Sequence, residues 1–138
     1  MAFVVHAEIE LDVPPERAFD ALTNHDTWPK WMPPTFVPVG PSVGTLVVGS
    51  KVKARVDRMP FPSVIEVTRL DRPKEITWCG GARGLMFAEH TFFFDAHGTG
   101  TRVRSAETWS GPVAAVLGPM LRWRAAAGAR AQRRAAAG

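Results

Sequence analysis

The stretch from Met86 to Ser110, MFAEHTFFFDAHGTGTRVRSAETWS, reads as two extended runs joined by the turn signal AHGTG. Two alternating runs about a glycine-bearing turn form a β-hairpin pattern. On the first run Met86, Ala88, His90, Phe92 and Phe94 share one side, and Glu89, Thr91, Phe93 and Asp95 share the other. On the second, Val103, Ser105, Glu107 and Trp109 oppose Arg102, Arg104, Ala106, Thr108 and Ser110. Successive side chains of a strand point to opposite faces, so the arginine-bearing face belongs outside. His90 and Glu107 then both point inward. Glu89 is an ordinary outward charge, whereas Phe93 is an outward apolar exception that needs cover.

A buried titratable group without a partner is costly, so the inward His90 calls for a neighbour. A hairpin closing near His97-Gly98 brings position 90 opposite 105 or 107, depending on a register that the pattern leaves open. A carboxylate beside an imidazole favours the charged form of each and offers a hydrogen bond. The expected inward cluster is therefore His90, Ser105 and Glu107, ringed by Trp78, Phe92 and Trp109. An apolar surface with a few convergent polar groups is the usual makeup of a small-molecule site.

Away from the hairpin the same alternation recurs. FVVHAEIELDV places Val5, Ala7, Ile9 and Leu11 on one side and His6, Glu8 and Glu10 on the other, a half-buried strand with His6 facing solvent. DVPPERAFDALTN opens a helix at Asp12 or its prolines, with Glu16 in the first turn and Ala18, Phe19 and Leu22 as its apolar stripe. Trp28 and Trp31 are spaced for one face of a second short helix, which Pro33-Pro34 ends. They suit core packing or the mouth of a cavity. GSKVKARVD, SVIEVTRL and KEITWCGG add strands after a Pro- and Gly-rich stretch, and Gly80, Gly81 and Gly84 break the pattern before the hairpin. Val113, Val116, Leu117, Met120 and Leu121 have helical spacing, giving a C-terminal helix kinked or restarted at Gly118-Pro119.

The order is strand, two short helices, a meander of strands and a terminal helix. That is an α+β arrangement: an antiparallel sheet of about six or seven strands covered on its apolar face by the terminal helix. Ala125, Ala126, Ala127, Gly128, Ala129 and Ala131 make part of that helix slender, which leaves space opposite a sheet lined with Trp and Phe.

At 138 residues the chain suits one domain, 1–138. No run of about 18 apolar residues is present, so no membrane span is expected. The start lacks a basic, apolar leader, and cytoplasm is the default location. Cys79 is the only cysteine, which excludes an intrachain disulfide and a multi-cysteine metal site. It falls on the face opposite Trp78, with no activating neighbour in view. No metal and no cofactor is called for. The net charge of +4 comes largely from the tail LRWRAAAGARAQRRAAAG, which holds five arginines and no acid. Without zinc-finger spacing or an RNA-binding aromatic motif, that charge does not indicate a nucleic-acid partner.

Three stretches together, IELDVPPERAFDALTNHDTWPKWMP, EVTRLDRPKEITWCGG and AEHTFFF…GTGTRVRSAETWSGP, resemble the SRPBCC superfamily. This is the START/birch-allergen-like group of helix-grip folds, and the likeness is to its polyketide cyclase/dehydrase and lipid-transport-like proteins. It implies a curved sheet gripping a long C-terminal helix, with a hydrophobic cavity between them for lipids, sterols, polyketides, plant hormones or aromatic molecules. It also implies that His90 and Glu107 are inward polar positions, without completing a catalytic signature. The tail departs from a typical member in its alanines and glycines.

The leading expectation is a binding or transport protein for a small hydrophobic, aromatic or lipid-like ligand. Trp28, Trp31, Trp78, Phe92 and Trp109 would supply apolar contact, and His90, Ser105 and Glu107 would orient a polar group. The enzyme alternative is a cofactor-free cyclase/dehydratase with His90 as general acid or base, tuned by Glu107. A third is a protein-interaction module, like the related chaperone activators. Monomer and homodimer both remain open.

Overall fold

A computed structural model describes residues 2–32, 36–56, 62–82 and 84–112. The expected terminal helix, with its small-residue face and its kink, lies outside the described residues, as do Pro33 and Pro34.

Strand β1 (Ala2–Leu11) leads into helix α1 (Pro15–Thr23), a single 3₁₀ turn (His25–Thr27) and helix α2 (Trp28–Trp31). Six further strands follow: β2 (Phe36–Val39), β3 (Lys51–Val56), β4 (Ser63–Asp71), β5 (Glu75–Ala82), β6 (Met86–His97) and β7 (Gly100–Ser110). All seven form one sheet in the order β1-β7-β6-β5-β4-β3-β2, antiparallel throughout. The meander therefore runs from one edge inward, and β1 closes its far side against β7.

Two local irregularities shape this curled sheet. The β4–β5 register shifts between Val67 and Arg69, a bulge that bends the strand. The expected break at Gly80-Gly81 does not end β5. Gly81 instead has φ +95°, and a Cβ there would overlap the Met86 carbonyl oxygen, so the glycine lets two backbones approach within the hairpin. Strand β2 lies in the Pro- and Gly-rich stretch where no strand was expected. It is an edge strand, where Pro38 is tolerated.

The described helices cover part of the sheet's apolar face. Helix α1 starts at Pro15 after the extended Pro14, with Glu16 in its first turn, and buries Ala18, Phe19 and Leu22. Phe19 meets Phe94 edge-on at 5.5 Å, so α1 sits on the inner face of β6. Trp28 of α2 is fully buried and meets Trp78 at 5.6 Å and Phe36 at 6.0 Å. The core thus joins Ile9, Leu11, Phe19, Leu22 and Trp28 to the inner row Val52, Val67, Ile76, Phe92 and Val103. On the outer face Phe93 is covered by its neighbouring strand: the Arg104 guanidinium lies 5.2 Å above its ring while Nε holds Asp95 at 2.9 Å. Among the described residues, no helix is long and apolar enough to cross a membrane.

Candidate functional site

The register places Val5, Glu107, His90, Trp78 and Val67 in one rung crossing β1, β7, β6, β5 and β4. Glu107, rather than Ser105, is the residue opposite His90. His90 Nδ1 lies 2.9 Å from Glu107 Oε2, and their side chains are 19% and 12% exposed. Trp109, two residues along β7 on the same face, donates its indole N–H to Glu107 Oε1 at 2.5 Å. One carboxylate therefore receives two ring N–H donors, one at each oxygen. Hydrogen bonds to a charged acceptor in such a setting are worth about 1.5–3 kcal/mol each.

The partner assigns the histidine tautomer. A carboxylate only accepts, so Nδ1 carries the proton facing Glu107, and the neutral ring keeps a lone pair at Nε2. That Nε2 is buried and has no hydrogen-bond partner among the described residues. Its ring stacks on Phe92 at 4.1 Å and 28° and stands edge-on to Trp78 at 5.9 Å. Trp78 and Phe92 in turn meet at 5.0 Å. The result is a polar atom framed by two aromatic rings.

Of the residues expected at the site, the structure brings Trp78, His90, Phe92, Glu107 and Trp109 onto the inner face, and α2 adds Trp28 against Trp78. Ser105 is one rung away, opposite Phe92 and Ala7, and makes no hydrogen bond to the pair. Trp31 belongs to α2, but its side chain lies outside the described residues. Cys79 is on the outer face, with its sulfur 3.8 Å from both Glu89 and Thr68. A shallow depression of about 340 Å³ opens over His6, Glu8, Phe93, Arg104 and Ala106, on the side of the sheet away from His90.

His25 carries no local signal in the sequence that marks it as buried. It is 4% exposed, and its Nδ1 accepts the Val43 N–H at 3.0 Å while its own backbone N–H donates to the Gly44 carbonyl at 3.0 Å. The neutral ring therefore carries its proton at Nε2, which is also buried without a partner among the described residues. Burial pushes its pKa below the ordinary histidine value, and the Asp26 charge opposes this only in part. His25 meets Trp28 edge-on at 5.0 Å. An aromatic series, His25, Trp28, Trp78, His90, thus runs between two rings whose Nε2 atoms are buried without a hydrogen-bond partner among the described residues. Burial of His25 comes from residues 42–46 folding over it, which no local spacing announces.

Comparison with known proteins follows the same lines. No curated protein matches the chain. Among solved structures, protein MLL2253 from Mesorhizobium loti superposes with TM-score 0.76 at 16% identity, covering 96% of each chain. Protein CV1439 from Chromobacterium violaceum gives TM-score 0.68 at 16% identity, over 97% of this chain and 94% of that one. A point mutant of norcoclaurine synthase from Thalictrum, in complex with a transition-state analogue, gives 0.74 at 12% identity over 99% and 95%. Identities this low establish a shared fold. The family described as polyketide cyclase/dehydrase and lipid transport matches residues 2–138, and the chain belongs to it.

Proposed function

We propose that this protein binds a small apolar molecule, aromatic or lipid-like, on the inner face of its sheet. Trp78, Phe92 and Trp109 supply apolar contact, Trp28 backs Trp78, and His90 orients the ligand's polar group. The observation that carries the reading is the buried, unpartnered Nε2 of His90. An unmet polar atom in an apolar setting costs about 1–3 kcal/mol, a penalty that a ligand group would relieve. Native mass spectrometry and a thermal-shift screen with hydrophobic ligands test it. Mass adducts and raised melting temperatures are expected; a crystal structure with the inner face fully packed and no response to any ligand would end it.

The Glu107–His90 geometry supports one further reading, a cofactor-free cyclase or dehydratase. A carboxylate that fixes the tautomer of a histidine leaves Nε2 as a base, the relationship found between orienting acid and general base in many enzymes. Turnover of a polyketide-like substrate that vanishes in His90→Ala would favour catalysis over simple binding.

A further inference from the structure

We propose that residues 42–46 form an acid-released strap, held over the 3₁₀ turn by His25 and let go when its imidazole takes up a proton. This device does not depend on what the inner face of the sheet binds. Two backbone bonds frame the isolated bridge between Asn24 and Thr45: His25 N–H to the Gly44 carbonyl at 3.0 Å, and Leu46 N–H to the Thr23 carbonyl at 2.8 Å. The Ser42 hydroxyl donates to Asp26 Oδ1, and Val43 donates its N–H to His25 Nδ1 at 3.0 Å. Of these ties, the Val43 bond alone ends on a group whose ordinary titration lies near neutral pH.

A backbone N–H only donates, so the Val43 bond requires a bare Nδ1. A protonated ring sets N–H against N–H at that point. Its other N–H, at Nε2, is buried without a partner among the described residues, and His25 as a whole is 4% exposed. The closed strap therefore offers the imidazolium no acceptor, and relief requires the strap to move. Little charge surrounds the ring to change this. The strap itself, Ser-Val-Gly-Thr-Leu, has no titratable side chain. Helix α1 brings the uncharged Thr23, its Asp20 being paired with Arg72. Helix α2 meets the ring through Trp28 at 5.0 Å, and its Lys30 is exposed. Asp26, on the same turn, favours the imidazolium, but burial outweighs it.

Once the strap is open, the ring meets water and titrates near its ordinary value of about 6.5. Opening then takes up one proton at any pH between that value and the lower one of the closed state. Its equilibrium constant rises by up to about tenfold for each pH unit lost in that window. Opening also withdraws Leu46, 3% exposed, from the core it shares with Trp28.

Native-state hydrogen exchange on the full chain, from pH 7.5 to 5.5, tests the strap. The Val43 and Leu46 amides are expected to be less protected than that of Phe94, which donates to the Lys74 carbonyl on another part of the sheet. Corrected for intrinsic exchange, their protection should hold steady above about pH 6.5 and fall by up to about tenfold per unit below it. Protection that does not change with pH would overturn the proposal. So would protection equal to that of Phe94, because the whole fold would then open at once. In His25→Asn a side-chain oxygen replaces Nδ1 without titrating, and the slope at Leu46 should vanish; a persisting slope would assign the switch to another group. The wild-type series decides by itself if that variant does not fold.

Discussion

Glu107 and His90 are direct cross-strand partners of β7 and β6, and the carboxylate reaches the imidazole Nδ1 at 2.9 Å. Their pairing converts an otherwise indifferent ring into one of defined tautomer. Glu107→Gln tests this relationship with little change of volume. An amide oxygen replaces only one of two acceptors, and its NH₂ then confronts an N–H from His90 or Trp109. We expect a loss of about 1–3 kcal/mol in stability by denaturant titration. Loss of the single-tautomer ¹⁵N pattern at His90 should accompany it.

The aromatic core has a different sensitivity. Trp28 is wholly buried among His25, Phe36 and Trp78, and its indole N–H donates to the Leu22 carbonyl at 3.0 Å. Trp28→Ala should cost about 3–5 kcal/mol through lost contacts and an unfilled cavity. Chemical denaturation would show it as a lowered midpoint, and any ligand affinity dependent on Trp78 should fall with it.

Thr101 ties β7 to the entry of α1 through a 2.7 Å bond from Oγ1 to the Val13 carbonyl, and the residue is 1% exposed. Thr101→Val preserves shape but removes the donor, leaving a buried carbonyl unmet. A loss of about 1–2 kcal/mol is expected. Thr101→Ser, which keeps the donor and loses a methyl group, should restore the bond, and the two variants compared by urea melts separate hydrogen bonding from packing.

Stability should depend on pH through His25. Its pKa in the fold lies below the ordinary value near 6.5, chiefly because of burial. Between the two values the unfolded chain binds more protons than the folded one, so stability rises with pH there. The folded state is therefore fully supported above pH 6.5 and loses ground as pH falls through 6.5 toward the folded-state value. Protonation also places an N–H where Nδ1 had accepted from Val43. Melting temperatures measured from pH 7.5 to 5 should fall across that window, and His25→Gln should flatten the profile.

The glycine at position 81 can be checked directly. With φ +95° and the Met86 carbonyl in the space a Cβ would fill, Gly81→Ala forces the β5–β6 connection to move. The expected cost is about 1–3 kcal/mol, seen as a lowered melting temperature.

How far the sequence discloses this fold depends on how local each determinant is. Strands β3 to β7 are legible because alternation and short turns are properties of consecutive residues. The inward placement of His90 and Glu107 follows from the same alternation, while their register required the actual hairpin. Strand β2 was hidden because Phe36–Val39 is only four residues long and contains Pro38, a residue acceptable there only because the strand is an edge. Pairing of β1 with β7 could not be read either, since no property of residues 2–11 names a partner near the other end of the described chain. Trp109 was legible as an apolar wall but not as a donor to Glu107, which depends on ring orientation. His25 escaped because its environment is assembled from residues 42–46, well separated in sequence.

The edge order of the sheet carries a consequence for synthesis. Among the described strands β1 hydrogen-bonds only to β7, and Thr101 meets Val13 from 88 positions away. A ribosome extending the chain at 5–20 residues per second needs roughly 4–18 s to supply that partner. Throughout that interval the earliest strand has Val5, Ile9 and Leu11 without the β7 face they join. Of the described strands, the earliest made is thus among the last to be secured. Until then its unpaired edge is open to chaperones and to other nascent chains.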